Sequence, residues 1–418
     1  MLTDSRARTL ALMRAYVAAL GPQLLVPQAP QFNLPLWELG HIAWFQDHWI
    51  ARNPCRAQGA RAEPYSIIQP RLPSRSVSGV NPTVSPDALY DSSAVPHAMR
   101  WQLALPDLRA TEDYLQESLQ HTLSLLRALE PREQALATDD DLYFFRLVLF
   151  HEDMHAEATT YMAQALGIGL PQPSLVAGTR AVAGAVGAQI HVPGQTWRMG
   201  QSGGPGFMFD NELTAHEVAL PAFDIDAHAV SWRRFLPFVE AGGYTNRSGW
   251  SDAGWQWLQQ SASAPLQAPR YLRRHAEGGG WERQHFGHWQ ALDLDAAAVH
   301  LSHFEAQAWC HWAGRCLPTE AQWECAAISQ PDPHNEFIWG QVWEWTGSTF
   351  TAFPGFTPHP YRDYSEPWFG NRPVLKGASS VATSARMMHP RYRNFFTPER
   401  NDIHAGFRSC RVHSLLQA

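Results

Sequence analysis

The stretch from 139 to 166, DDDLYFFRLVLFHEDMHAEATTYMAQAL, repeats apolar positions at helical spacing and carries His151-Glu152-Asp153-Met154-His155 at its centre. The acidic run Asp139-Asp140-Asp141 suits a helix N-terminus, where the macrodipole favours negative charge, and Gly167 offers a stop. On one helix His151 and His155 stand a single turn apart and share a face, close enough to hold one metal ion. The same letters satisfy the H-E-x-x-H pattern of zinc peptidases.

Working outward, three more helices are expected: 5–20, ending at Gly21; 35–50, with Pro35 in its first turn; and 108–129. A loop rich in Pro, Ser and Arg leads up to Pro106. Four helices of this length, two with inward histidines, predict a four-helix bundle with a metal in its core over 1–170. Residues 171–189 are rich in Ala, Gly and Pro and suit a linker. From 190 to 418 the text becomes short strands, glycine turns and aromatics, so the fold class is α+β. A strand pair is expected over 190–200 and helices over 232–241 and 303–313, with loops and short strands elsewhere.

A chain of 418 residues exceeds what one core usually organises, which agrees with two domains. Net charge is -7 and the basic residues are scattered, which argues against nucleic acid or an anionic membrane as partner. Small molecules are the expected partners. Most of the 18 tryptophans are assigned to packing. The five cysteines include no C-x-x-C pair and read as reduced, mostly buried thiols. No signal peptide and no bilayer-spanning run is visible, so a soluble cytoplasmic protein is expected.

The peptidase pattern needs a third ligand downstream, commonly a glutamate, or a histidine after a glycine. Between Glu157 and Asp210 there is no Asp or Glu, and Ala158 takes the place of that glycine. Glu157 sits about 200° around the helix from His155 and about 240° from His151, which places it off the ligand face. The third ligand must therefore come from another helix. In Leu36-Trp-Glu-Leu-Gly-His41-Ile-Ala-Trp-Phe-Gln-Asp-His48, two histidines share a face, and Gly40 favours His41 by allowing close approach. Three neutral imidazoles would leave coordination positions open, as oxygen-activating iron or hydrolytic zinc requires.

Pro35-Leu-Trp-Glu-Leu-Gly-His41-Ile-Ala-Trp-Phe-Gln46 and His151-Glu-Asp-Met-His155-Ala-Glu157 resemble the paired motifs of the DinB-like domain of ergothioneine-biosynthesis sulfoxide synthases, the EgtB type. Gly314-Arg-Cys-Leu-Pro-Thr-Glu-Ala-Gln-Trp-Glu324, Gln341-Val-Trp-Glu-Trp-Thr346 and Ala405-Gly-Phe-Arg408 resemble that family's formylglycine-generating-enzyme-like domain, a C-type-lectin-related fold. The resemblance implies that His41, His151 and His155 bind non-haem Fe(2+). It implies O2-dependent attachment of a chalcogen to imidazole C2 of hercynine, the trimethylated betaine of histidine. Asn394 and Phe395 match positions that contact hercynine, and Tyr361 and Tyr364 are candidates for an assisting proton donor.

Some departures bear on the second substrate. Members that use γ-glutamylcysteine carry two arginines three apart after a Tyr-Asp motif. Here Tyr90-Asp91 is followed by His97 and Arg100, so one fixed charge and one bidentate fork are missing. Met154 stands where some members have a hydrogen-bonding glutamine, and the Gly-Gly-Ser-aromatic segment reads Gly377-Ala-Ser-Ser380. In these respects the chain resembles more closely the selenoneine synthases (SenA), which use a selenosugar. That branch implies a carbon–selenium bond; the alternative is a carbon–sulfur bond from a thiol donor.

Overall fold

The computed structural model describes residues 1–63, 85–129, 137–170, 187–260, 266–276, 278–329 and 337–412. The linker expected over 171–189 lies outside the described residues as far as residue 186. The chain divides into two compact units. The first unit takes residues 1–172 together with two later segments, Pro205–Phe209 and Pro358–Tyr364. The second takes the remainder.

The first unit is built on helices α1 (Leu2–Leu20), α2 (Pro35–Gln46), the short α3 (Pro86–Tyr90), α4 (Leu108–Arg127) and α5 (Asp139–Leu166). Helix α2 packs against α4 and α5, and α1 packs against α5. Helix α5 begins in a capping box between Thr138 and Asp141, which satisfies two otherwise orphaned backbone donors. It ends at Gly167 in the left-handed conformation, φ 68°. Helix α2 stops earlier than apolar spacing suggests. Its last turn opens into a π-helical turn, Asp47–Ala51, a shift of hydrogen-bond partner that hydrophobic periodicity does not encode.

The bundle interior holds charge as well as apolar side chains. Arg6 of α1 is buried and donates from Nε to Glu152 of α5 at 2.7 Å and from Nη2 to Gln46 at 2.9 Å. Thr9 donates to Glu152 at 2.9 Å, and Ser5 to Asp153 at 2.6 Å. A buried ion pair is tolerable only when its remaining lone pairs are satisfied in this way.

The second unit carries twelve strands in four small sheets, among the described residues. β1 (Gln189–Val192), β4 (Phe223–Asp226) and β12 (Cys410–Val412) form one, ordered β1-β4-β12. β2 (Gln195–Met199) pairs with β3 (His216–Leu220). β5 (Leu272–Arg274), β6 (Trp281–His285) and β7 (His288–Ala291) form a meander. The fourth sheet runs β10 (Asn394–Phe395), β9 (Pro373–Gly377), β8 (Trp343–Thr349), β11 (Ala405–Phe407), and β11 is parallel to β8.

The expected strand pair over 190–200 is corrected here. β1 and β2 do not pair with each other; β1 pairs with β4 and β2 with β3. Pro193-Gly194 is a corner between sheets rather than a hairpin turn, crossing the β3–β4 connection so closely that a Cβ at Gly194 would lie 3.2 Å from the Ala222 nitrogen.

Helices α6 (Trp232–Glu240) and α8 (His303–Trp312) lie where periodicity predicts them. Two others, α7 (Asp252–Gln260) and α9 (Glu320–Ser329), were expected to be loop or strand. Helix α9 is buried on every side from Glu320 to Ala326, so its sequence has no polar face to reveal the helical period. It contributes the fully buried Trp323, and Glu320, which pairs with buried Arg393 at 2.6 Å; Trp343 and Trp345 of β8 are likewise fully buried, as is the ion pair Arg408–Glu344. Among the described residues no helix is long and apolar enough to cross a membrane.

Candidate metal centre

His41 projects from α2, and His151 and His155 from α5. Their Nε2 atoms converge: His151 Nε2 lies 3.2 Å from His41 Nε2 and 3.1 Å from His155 Nε2. Among the described residues this is the one group of three or more His, Cys, Asp or Glu side chains whose ligand atoms gather as a metal site requires. Two nitrogens about 2.1 Å from a common ion and about 90° apart would be separated by about 3.0 Å. The observed spacings fit such a corner.

Each outer nitrogen partner fixes a tautomer. His41 Nδ1–H donates to the Tyr90 carbonyl at 2.8 Å, and His155 Nδ1–H donates to the Glu38 carboxylate. Both rings therefore turn an unprotonated Nε2 inward. Lone pairs this close repel one another unless a cation lies between them, so the donor set suits a divalent metal. Burial and the neighbouring His155 bring the pKa of His41 down to about 3, and burial with both neighbours holds His151 well below its ordinary value. Glu38 stays ionised. Burial pushes its pKa up, but the charge and hydrogen bond of His155, with the charges of His41 and Arg100, bring it down to about 2.

Aromatic rings hold the imidazoles in place. Phe45 stacks on His151 with centroids 3.5 Å apart and planes 3° from parallel. Trp37 stacks on His41 at 4.7 Å and 11°. Gly40 makes room for the ring of Tyr90 rather than for a neighbouring long helix: a Cβ there would sit 2.2 Å from that ring. The Tyr90 backbone in turn holds His41.

Residues 1–158 match the DinB superfamily model, and residues 176–341 match the sulfatase-modifying factor enzyme 1-like domain. The hercynine oxygenase of Mycobacterium tuberculosis is 30% identical over 97% of this chain and 96% of its own length. The chain belongs to the hercynine oxygenase family. A second member, from Mycolicibacterium thermoresistibile, is also 30% identical, over 97% of this chain and 93% of its own. The formylglycine-generating enzyme of Thermomonospora curvata is 28% identical over 52% of this chain and 91% of its own. Family membership makes the chain an oxidoreductase, and the peptidase reading falls. Glu152, the residue a peptidase would use as base, is held in the interior by Arg6 and Thr9.

Against this family background the other expected residues separate clearly. Tyr361, on one of the returning segments, meets Phe45 edge-on at 4.9 Å and His151 at 6.2 Å. Its hydroxyl makes no hydrogen bond among the described residues. Tyr364 stacks on Phe209 at 4.0 Å and 21°, a packing role. Arg100 lies flat over Trp37, 3.7 Å from the ring centroid, and its buried Nε has no hydrogen-bond partner among the described residues. His97 donates from Nε2 to the Phe32 carbonyl at 2.7 Å. Met154 is half-buried on α5. Asn394 and Phe395 form β10 of the second unit, where Phe395 stacks on Phe350 at 4.0 Å. His48 packs between Trp44 and Trp49 and does not join the histidine group.

Sequence reading missed Glu38, Phe45 and Trp37. Glu38 had a usable signal, because it precedes His41 by three residues and therefore shares its helix face. Tyr90 was visible only as part of a motif. The carbonyl that holds His41 belongs to its backbone, which no side-chain pattern specifies.

Proposed function

We propose that this protein is an Fe(2+)- and O2-dependent oxygenase that joins a chalcogen donor to imidazole C2 of hercynine, in a soluble cytoplasmic setting. The observation that carries the reading is the convergence of His41, His151 and His155 beside the ring of Tyr361, whose hydroxyl is unbonded among the described residues, in a chain whose relatives include hercynine oxygenases. Three protein ligands leave positions for small molecules, and iron(II) held there would supply the oxidising power that an unreactive imidazole carbon needs.

The chain's own groups do the rest. Burial, then the charges of Asp363 and Asp91, push the Tyr361 phenol above its ordinary pKa. It is therefore a proton-bearing donor at neutral pH, suited to give a proton at its hydroxyl rather than to act as a base. Trp37 and Phe45 fix two of the three rings by stacking, which limits reorganisation at the site. For hercynine, Asn394 and Phe395 remain the residues the resemblance assigns, with Phe395 offering an aromatic face to a quaternary ammonium.

The donor we assign is a selenosugar. His97 is engaged with a backbone carbonyl, and Arg100 supplies one half-buried guanidinium in place of a two-arginine clamp. Met154 adds an apolar edge. An uncharged or singly anionic donor suits that lining better than γ-glutamylcysteine. The second reading, a thiol donor and a carbon–sulfur bond, is favoured by the family names and by Arg100 itself. Anaerobically iron-loaded protein given hercynine, O2 and an equimolar mixture of selenosugar, γ-glutamylcysteine and cysteine decides between them. A selenium adduct as main product supports the selenosugar, a sulfoxide from a thiol alone defeats it, and no hercynine consumption with any donor defeats the whole assignment.

A further inference from the structure

Three of the five cysteines, Cys310, Cys316 and Cys410, lie near one another in the second unit although 94 residues separate Cys316 from Cys410. Cys316 and Cys410 face each other across an isolated antiparallel bridge. They exchange both backbone hydrogen bonds, 3.0 Å from the Cys316 nitrogen and 2.7 Å from the Cys410 nitrogen. A pair of this kind has Cα atoms about 5.5 Å apart and side chains on one face. Disulfides span Cα separations of about 4.4–6.8 Å, so a pair in this register lies within reach of one.

The surroundings favour the same outcome. Cys316 is exposed, whereas Cys410 is buried beneath it. The Cys316 sulfur lies 3.2 Å from the Cys410 carbonyl oxygen, and the side chains are close enough for Cys316 to raise the Cys410 thiol, with burial adding to it. Arg315 fixes the register beside the pair: its Nε donates to the Ser409 hydroxyl at 2.9 Å, and its Nη2 reaches Asp226 at 3.3 Å. That guanidinium also opposes the rise of the Cys410 thiol, by less than the Cys316 hydrogen bond and burial raise it. The three sulfurs do not converge as metal ligands would, since the histidine group is the one such cluster among the described residues.

We infer that Cys316 and Cys410 form a reversible disulfide when the protein meets a hydroperoxide. The Cys316 thiolate attacks the peroxide O–O bond, and its sulfur is oxidised to sulfenic acid while one peroxide oxygen leaves as water. The Cys410 sulfur then attacks that sulfur, the S–O bond breaks, and the departing hydroxide takes the Cys410 proton as a second water. The balance is two thiols and one hydrogen peroxide to one disulfide and two waters.

Cys316 also lines an open cavity of about 650 Å³, whose other walls include Glu320 and Arg393, the ion pair preceding Asn394 and Phe395. The disulfide would fix the approach to α9 at that wall and close a long loop, which stabilises the folded state.

The full-length protein, reduced and then treated with hydrogen peroxide, is alkylated, digested without reductant and analysed by mass spectrometry. The expected result is one cross-linked peptide joining Cys316 to Cys410, two thiols lost of five, reversal by dithiothreitol and a rise in Tm of several degrees. Cys316→Ser, at an exposed position, should abolish both the cross-link and the Tm rise. Cys410→Ser should leave Cys316 as a sulfenic acid that a dimedone probe captures. Retention of all five thiols, conversion of Cys316 to sulfinic acid without a cross-link, or a Cys310–Cys316 bond instead would each overturn the inference.

Discussion

Glu38 and His41 stand three residues apart on α2, yet they serve different ligands: His41 turns its own Nε2 to the centre, while Glu38 takes the Nδ1 proton of His155 on another helix. One turn of α2 therefore supplies one candidate metal ligand and the anchor of a second. Removing the anchoring charge weakens such a site by about 10–100-fold in metal affinity. We expect Glu38→Gln to keep the fold and to lose affinity for Fe(2+) or Co(2+) in that range, measured by competition with a chromophoric chelator. Unchanged affinity would show that Glu38 only packs.

Tyr361→Phe removes a hydroxyl that has no partner among the described residues and keeps the ring against Phe45 and His151. Tm and metal affinity should therefore stay as they are. If Tyr361 donates a proton, kcat should fall by about 10²-fold or more. A variant of full activity would return Tyr361 to packing and leave the donor unidentified.

Arg6→Met removes the buried guanidinium that pairs with Glu152 in the interior of the bundle. Loss of one partner of a buried pair costs about 3–5 kcal/mol, which urea unfolding should detect. Glu152→Gln is the complementary probe. It should lower stability yet retain turnover per folded molecule, whereas a peptidase-type base would lose its activity altogether.

Gly40→Ala drives a methyl group into the Tyr90 ring. Overpacking of this kind costs about 1–3 kcal/mol. The strain falls on the backbone that holds His41, so metal affinity should drop together with Tm. A fall in Tm with unchanged affinity would show that the Tyr90 carbonyl does not position His41.

Acid should destabilise the second unit as pH falls below about 6.5. Burial lowers the pKa of His300 to about 3 and that of His303 to about 4, the latter despite its bond to the Thr346 carbonyl. In the unfolded chain both return to about 6.5. Between about pH 6.5 and 4 the unfolded state binds protons that the folded state does not. Stability is thus complete above about pH 6.5 and falls as pH drops through that window, by up to about 1.4 kcal/mol per pH unit for each histidine. Urea titrations at pH 7, 6 and 5 should show the decline, and equal stability at all three would contradict it.

The sequence displays the bundle and the histidine pair openly because both depend on helical spacing within one segment. Thr138 to Gly167 carries its own cap, apolar face and stop. The second unit is harder to read. Its strands are two to seven residues long, α9 is buried all round, and the Pro193-Gly194 corner looks like a hairpin. The site is legible where a side chain makes the contact, as at His41 and His155. It is illegible where a backbone carbonyl does so, as at Tyr90, or where residues more than two hundred positions apart meet, as Tyr361 does His151.

Tyr361 reaches His151 only because residues 358–364 belong to the first unit while lying nearly two hundred positions beyond its main segment. The unit that carries the histidine cluster is thus written in separated passages. Cutting the coding sequence at the apparent junction would yield a histidine cluster without its phenol. Swapping either half of this chain for that of a relative would have to carry the two short returning passages with the bundle, so only exchanges that respect this interleaved inheritance would keep the cluster whole.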